Sequence, residues 1–214
     1  MNARIRGFTL VELAIVMVII GLLMGGILKG QELINNAKAK SEANDFKVVA
    51  AAYYGYVDRF HAVPGDDASA TSHVGSGTTN GNGNGVIAGN WNAGSVTSCT
   101  DESCLFWQHV RLAGLLSGTT VTTSGSFLPM NADSGRLGIS GTTPIKTLMG
   151  SFFVCSGNLT ARMALQIDSI LDDGVPTTGS VRAVDAGSAA FPADASGITD
   201  PSTDTKYYIV CAGY

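Results

Sequence analysis

One carboxylate lies inside the most apolar part of the sequence. Glu12 is the only ionisable side chain from Phe8 to Leu28, and Lys29, the next basic residue, would be about five helical turns away. A charged group in a membrane helix costs a few kcal/mol, so it normally has a partner. The partner of Glu12 could therefore belong to a neighbouring copy of the chain. The alternatives are a carboxylate that reaches the lipid interface and one that is protonated in lipid.

Two further groups of carboxylates have the chemistry of Ca²⁺ ligands. Asp168, Asp172 and Asp173 lie near the end of a predicted helix, and Asp66 and Asp67 follow a Pro-Gly pair. Ca²⁺ is commonly held by carboxylates together with backbone carbonyls. Aspartates beside glycine are also ordinary residues of turns and helix ends. The sequence favours the turn interpretation, and Ca²⁺ remains the alternative.

The four cysteines suit disulfide bonds in an exported protein. Cys99 and Cys104 are close together in a polar stretch, and Cys155 and Cys211 end two predicted strands. Disulfides persist in oxidising compartments such as the periplasm. Metal binding competes with this interpretation, but no CxxC pair is present and the histidines are scattered. Four cysteines allow three pairings, of which 99–104 with 155–211 is one.

No catalytic pattern emerges from the remaining residues. His61, His73 and His109 have no recognisable nucleophile to act with, and neither a G-x-S-x-G motif nor a phosphate-binding loop occurs. The net charge of −4 and the 14% of charged residues exclude a basic nucleic-acid-binding domain and a disordered polyelectrolyte. We therefore predict that the protein is not an enzyme and that it has no cofactor, apart from the Ca²⁺ alternative.

The apolar run from Phe8 to Leu28 is long enough to cross a membrane as a helix. At about 1.5 Å per residue it spans roughly 30 Å, the thickness of a hydrocarbon core. Arg4 and Arg6 precede it, which places the N-terminus in the cytoplasm and the rest of the chain outside. An ordinary secretory signal fits less well, because its apolar region is shorter and a small-residue cleavage site follows it.

The apolar run continues into an amphipathic helix. Apolar residues recur at helical spacing as far as Phe60, and charged residues such as Glu42 occupy the other faces. Pro64 is the first proline of the chain and begins a turn signal. We predict one helix from about Phe8 to His61. The positions expected on its apolar face are Ala43, Phe46, Ala50, Tyr53, Val57 and Phe60.

The rest of the chain predicts a small α+β head. Residues 68–98, rich in Gly and Asn, are expected to form an exposed flexible loop. Helical periodicity predicts helices over Leu105–Leu116 and Leu159–Leu171, and β-branched and aromatic residues predict strands over 150–155, 179–184 and 206–211. The predicted fold is α+β, with one long N-terminal helix whose apolar half protrudes and whose amphipathic half packs on a small antiparallel sheet.

The residues Gly7 to Leu13 carry a resemblance to a known family. They read G-F-T-L-V-E-L, directly after a short basic leader and directly before the apolar run. This order resembles the prepilin N-terminus of type IV pilins and type II secretion pseudopilins. The resemblance, which covers about residues 1–60, implies that a prepilin peptidase cuts after Gly7 and methylates the new amine of Phe8. It also implies a pilin-like fold and a role for Glu12 in assembly, in which the new amine of Phe8 on a neighbouring copy could pair with Glu12.

The chain is thereby expected to contain four segments. They are a cleaved leader at 1–7, a transmembrane and assembly half-helix at 8–28, an amphipathic half-helix at 29–61 and a globular head at 62–214 with a disulfide-closed C-terminal region. Cys211 resembles the cysteine that closes the C-terminal loop of type IV pilins, which many major pseudopilins lack. This feature favours a pilin or minor pilin.

The resemblance implies a structural subunit of a type IV pilus, polymerised into a helical filament for adhesion, motility or DNA uptake. The implied partners are copies of itself, the prepilin peptidase, an assembly ATPase with its platform protein, and a secretin. The implied location is the inner membrane before assembly and the cell surface afterwards. The alternatives are a type II secretion pseudopilin in a periplasmic pseudopilus and a signal-anchored periplasmic binding protein.

Overall fold

The structure, a computed structural model, describes residues 9–95, 98–187 and 191–214. The chain divides into two compact units, one that ends at Lys38 and a second that comprises Ala39–Tyr214. The helix α1, Leu10–Phe60, contributes residues to both units, and the second unit contains a four-stranded antiparallel sheet. The predicted α+β class with a long N-terminal helix is confirmed. Phe8, where the helix was predicted to begin, lies outside the described residues.

The end of α1 agrees with the predicted boundary to one residue. The amide of His61 still donates to the carbonyl of Val57 at 2.8 Å, but the φ of His61 is 52°. A residue in this left-handed conformation commonly closes a helix. Pro64 follows soon afterwards and cannot continue the helical hydrogen-bond pattern.

From Ala39 onward, α1 packs on the sheet through one face. The predicted apolar positions Ala43, Phe46 and Ala50 are buried, whereas Tyr53, Val57 and Phe60 are half-buried. Glu42 was assigned to a polar face, and this prediction is wrong, since Glu42 is only 1% exposed. The residues of α1 that the head buries are Ala39, Glu42, Ala43, Phe46, Val49, Ala50, Ala52 and Tyr56.

Four antiparallel strands form the sheet in the order β1-β2-β4-β3. Their bounds are β1 Leu137–Ser140, β2 Phe153–Thr160, β3 Val181–Asp185 and β4 Tyr207–Gly213. β2 overlaps the predicted strand at 150–155, β3 overlaps the one at 179–184, and β4 includes most of the one at 206–211. The short β1 was not predicted, because its four residues include a glycine and lack a clear alternation.

The described part of the head contains three shorter helices: α2 Ala70–His73, α3 Glu102–Leu112 and α4 Ala161–Leu171. The predicted helix at 105–116 starts and stops earlier as α3, because the chain turns at Gly114, where φ is 75°. The helix predicted from Leu159 begins two residues later as α4. Leu159 and Thr160 belong to β2, and the Thr160 hydroxyl caps α4 by accepting from the amide of Met163.

Both faces of the sheet are covered. The larger core joins α1, α3 and α4 to one face, through residues such as Phe46, Phe106, Ile167 and Val210. A smaller core on the other face includes Trp91, Ile209 and the disulfide partners Cys155 and Cys211. Sandwiched between two apolar layers, the sheet is a rigid base for the turns that connect its strands.

Candidate functional site

The N-terminus of α1 holds Glu12 in a reciprocal cap with Thr9. The amide and the hydroxyl of Thr9 each donate to Glu12 Oε2 at 2.8 Å, and the amide of Glu12 donates to Thr9 Oγ1 at 3.2 Å. This is a capping box, in which two otherwise unpaired amide groups of the helix start are satisfied. The Thr-x-x-Glu spacing of this box is present in the sequence, although only basic partners were predicted for Glu12. Glu12 therefore has a neutral partner on its own chain.

The capping box uses only one oxygen of the carboxylate. Oε2 accepts both bonds from Thr9, and no described residue hydrogen-bonds Oε1. A carboxylate oxygen has two lone pairs, so Glu12 retains acceptor capacity for a cationic group from outside the chain. The geometry permits Glu12 to be capped and ion-paired at the same time.

The first half of α1 exposes a large apolar surface. Leu10 is 88% exposed, and Leu22, further along the helix, is 73% exposed. By its length and composition α1 could cross a membrane, and none of its most apolar stretch is buried inside the described chain. Monomeric soluble proteins rarely expose an apolar surface of this extent. The surface therefore indicates contact with lipid or with other polypeptides.

The Gly/Asn-rich loop is ordered by two buried carboxylates rather than flexible. Asp66 accepts three backbone amides, from Gly83 at 2.7 Å, Asn84 at 3.1 Å and Gly85 at 2.7 Å. Glu102 accepts the amides of Asn82 and Ala88 in the same way. The prediction of a flexible loop over 68–98 is therefore wrong for this stretch. The only group of three possible metal-ligating side chains that the described residues bring together does not include Asp66, whose carboxylate instead fixes the loop.

Asp67 and two histidines also serve the architecture of the head. The Asp67 carboxylate accepts from the Tyr56 hydroxyl at 2.7 Å and contacts His73 Nδ1 at 2.7 Å. Burial opposes its charge, but the hydrogen bonds from His73 and Tyr56 outweigh burial and lower the pKa of Asp67. His109 accepts from the amide of Gly65 through Nδ1 and contacts the carbonyl of Thr79 through Nε2. Burial lowers the pKa of His109, which fits a neutral ring with the proton on Nε2.

Comparison with protein-family models gives one match. Residues 2–28 match the prokaryotic N-terminal methylation motif. The chain carries the type IV prepilin signature. No curated protein and no solved structure matches the chain. The prepilin signature supports a type IV pilin-like or pseudopilin precursor, a structural class of protein, with membrane insertion before assembly and processing by prepilin peptidase.

The prepilin signature places the processing residues within the matched stretch. Gly7 and Phe8, the predicted cleavage and methylation positions, belong to residues 2–28 but lie outside the residues that the structure describes. Glu12 belongs to the same stretch, and its capping box with Thr9 forms the first described turn of α1. The assembly role of Glu12 remains a prediction.

Two disulfides close the head of this prepilin-like chain. Cys99 is bonded to Cys104, and Cys155 is bonded to Cys211. In the second pair the cysteines face each other across neighbouring strands, since Cys155 of β2 is paired in register with Cys211 of β4. They lie in the middle of these strands and not at the strand ends, where the sequence had placed them.

The structure also brings three of the predicted carboxylates together. Asp168, in the last turn of α4, is 1% exposed, and Asp172 and Asp173 follow directly after the helix. One oxygen from each carboxylate lies within 4.8 Å of the other two. We call these three residues the acidic turn.

Proposed function

We propose that the protein is a structural subunit of a type IV pilus, made as a prepilin and polymerised into a helical filament. The observation that carries the proposal is the combination, on one helix, of the prepilin signature and an apolar surface that the described chain leaves exposed. The same apolar residues can be buried first in the inner membrane and then among copies of the same helix, because both surroundings are apolar.

The second unit has the properties that a filament subunit needs outside the cell. Its core is enclosed by α1 on one face of the sheet and by an irregular layer on the other, and both of its disulfides suit an oxidising environment. The implied partners are the prepilin peptidase, other copies of the subunit, and the ATPase, platform protein and secretin of the pilus machinery. Adhesion, motility and DNA uptake are functions of such filaments.

Assembly is proposed to depend on the pairing of two charges. Cleavage after Gly7 would create an amine on Phe8, and an axially offset neighbour would bring that amine to Glu12. Oε1 of Glu12, which no described residue hydrogen-bonds, is the oxygen available to accept it. An unpaired charge in apolar surroundings is costly, so the pair favours the assembled over the unassembled subunit.

The test is a Glu12→Ala variant expressed as the only subunit. We expect normal membrane insertion, because the segment becomes more apolar, and at least a tenfold loss of sheared surface filaments. The matched control is Glu32→Gln, which removes an exposed acidic charge further along α1, where Lys29 pairs with Glu32 at 2.7 Å. This control should form filaments at the wild-type level. A normal filament yield from Glu12→Ala would refute the charge pairing.

Mass spectrometry of the assembled material tests processing and location. The mature chain should begin at Phe8 with a methylated amine. Assembled subunits that retain Met1 would contradict the pilin assignment. Short fibres confined to the periplasm, together with a secretion defect on deletion, would instead identify a type II secretion pseudopilin.

A further inference from the structure

The loop between α4 and β3 is built around the carboxylates of the acidic turn. Asp168 Oδ1 accepts from the amide of Gly174 at 3.0 Å. Asp172 Oδ2 accepts the amides of Ser180 and Val181, so this residue ties the end of α4 to the start of β3. These bonds hold the carboxylates in place, since the groups that fix them are backbone atoms of the loop itself.

Asp173 is fixed from the same side of the loop. It accepts from the amide of Val175 at 2.8 Å and from the Thr178 hydroxyl at 2.7 Å. Gly179, with φ of 70°, allows the close approach of Asp172, because a Cβ at that position would lie 1.8 Å from Asp172 Oδ2. The loop conformation therefore depends on bringing the acidic side chains together.

One oxygen in this arrangement is buried and has no partner. Asp168 Oδ2 is inaccessible to solvent and accepts no hydrogen bond from any described residue, while the Asp168 side chain is almost fully enclosed. A buried carboxylate oxygen without a donor carries an uncompensated desolvation cost, and native proteins seldom leave such a group unsatisfied. This observation is independent of the clustering of the charges and points to a missing electropositive group.

No lysine, arginine or histidine among the described residues forms an ion pair with Asp168, Asp172 or Asp173. Arg182 is near enough to attract Asp173 electrostatically, but it does not pair with the buried Asp168. The acidic turn also lies at the C-terminal end of α4, where the helix dipole disfavours negative charge.

We propose that the acidic turn binds one Ca²⁺ ion, with Asp168, Asp172 and Asp173 each supplying an oxygen ligand. Ca²⁺–oxygen distances of about 2.3–2.6 Å place two ligands on opposite sides of the ion about 5 Å apart, so oxygens within 4.8 Å of one another fit one coordination sphere. Asp172 and Asp173 are exposed, and water completes the six to eight ligands that Ca²⁺ prefers. Mg²⁺ fits less well, because it demands a rigid octahedron at about 2.0–2.1 Å.

The bound ion would lock the connection between α4 and β3. The acidic turn lies inside the chain segment that Cys155 and Cys211 enclose, so the ion would add a second constraint to this segment of the head. Ligands that bind only the folded state raise its stability by mass action. The site does not depend on filament assembly. The Ca²⁺ proposal can therefore be tested independently of the pilin function.

The test is a calorimetric titration of the full chain in detergent with CaCl₂ at pH 7. We expect one saturable site per chain and a rise in Tm with Ca²⁺. Asp172→Asn and Asp168→Asn should each weaken Ca²⁺ binding at least tenfold. The matched control is Asp200→Asn, an exposed aspartate outside the acidic turn whose carboxylate bonds to the neighbouring Ser202. It should bind Ca²⁺ as the wild type does.

Three results would overturn the proposal. They are the absence of saturable binding, unchanged affinity in Asp172→Asn, and an equal response to MgCl₂. Asp172 is exposed, so its variant carries the test even where Asp168→Asn fails to fold, and circular dichroism without Ca²⁺ establishes which variants are folded.

Discussion

At the scale of single residues, Glu12 illustrates how a carboxylate can be kept in an apolar helix. Its capping box with Thr9 satisfies Oε2 without a cation and leaves Oε1 for another group. The same side chain can thus be stabilised in two states of the subunit. In the membrane Glu12 has only its neutral partner Thr9, and in the proposed filament a neighbouring amine is added to it.

Replacement of Thr9 tests the capping box without changing Glu12 itself. Thr9→Val keeps the shape of the side chain but removes the hydroxyl, and the loss of such a cap costs about 1 kcal/mol. We expect faster amide hydrogen exchange in the first turn of α1. Thr9→Ser restores the hydroxyl and should restore the slower exchange. Equal exchange in Thr9→Val and Thr9→Ser would show that the hydroxyl does not hold Glu12.

At the scale of elements, the contact between α1 and the sheet contains a buried polar network. Glu42 of α1 accepts from the amide of Ala132 at 2.9 Å and from the Ser156 hydroxyl of β2 at 3.1 Å. Asn131 donates to the same hydroxyl at 2.9 Å. Burial is the main cause of a raised pKa for Glu42, opposed by these two hydrogen bonds and increased by the charges of Asp45 and Asp133.

The raised pKa of Glu42 predicts a pH dependence of stability. A carboxyl whose pKa is higher in the folded than in the unfolded state contributes stability at low pH. That contribution is lost as the pH rises from the ordinary value near 4.5 through the folded-state pKa. Glu42→Gln keeps an acceptor for Ala132 and removes the titration, so its urea midpoint should fall less than that of the wild type between pH 4 and pH 7.

A second substitution at this position tests the hydrogen bonds themselves. Glu42→Ala leaves the amide of Ala132 and the Ser156 hydroxyl without their acceptor, which costs about 1–3 kcal/mol for each buried group. It should therefore lower the free energy of unfolding at every pH. Parallel pH profiles for the wild type and Glu42→Gln would contradict the titration of Glu42.

The elements also show which features a single sequence can predict. The extent of α1 followed from an apolar run, a helical period and the first proline, all of which are local signals. The burial of Glu42 did not follow, because its partner Ser156 is 114 positions away in the chain. The ordering of the Gly/Asn-rich loop was missed for the same reason, since its amides are held by Asp66 and Glu102 across many residues.

Among the site residues, too, local features could be predicted from the sequence and features that depend on distant contacts could not. The Thr9–Glu12 capping box is local and could have been predicted from the Thr-x-x-Glu spacing. The clustering of Asp168, Asp172 and Asp173 was anticipated from their proximity in sequence, but the unsatisfied oxygen of Asp168 is a property of the folded core. Unsatisfied polar atoms depend on packing from all sides and therefore require a structure.

At the scale of the whole molecule, the two disulfides constrain very different lengths of chain. Cys99 and Cys104 are 5 positions apart, whereas Cys155 and Cys211 are 56 apart. The longer loop contains β3 and α4 together with the acidic turn and leads into β4. In the chain-entropy model, closing a loop of the larger size stabilises the folded state by about 4 kcal/mol, and closing the smaller one by about 2 kcal/mol.

Removal of each disulfide should therefore have unequal consequences. The double variant Cys155→Ser with Cys211→Ser should lose about 4 kcal/mol in the free energy of unfolding, a large part of the roughly 5–15 kcal/mol that holds a typical domain together. The control pair Cys99→Ser with Cys104→Ser should lose about half as much. Urea unfolding of the detergent-solubilised chains measures both. In the Cys155/Cys211 variant, protease should cleave the segment between β2 and β4 first, because the disulfide that joins these two strands is lost. We expect α1 to insert into the membrane as before. An equal loss in both variants would show that the length of the enclosed chain does not set the stability of the head.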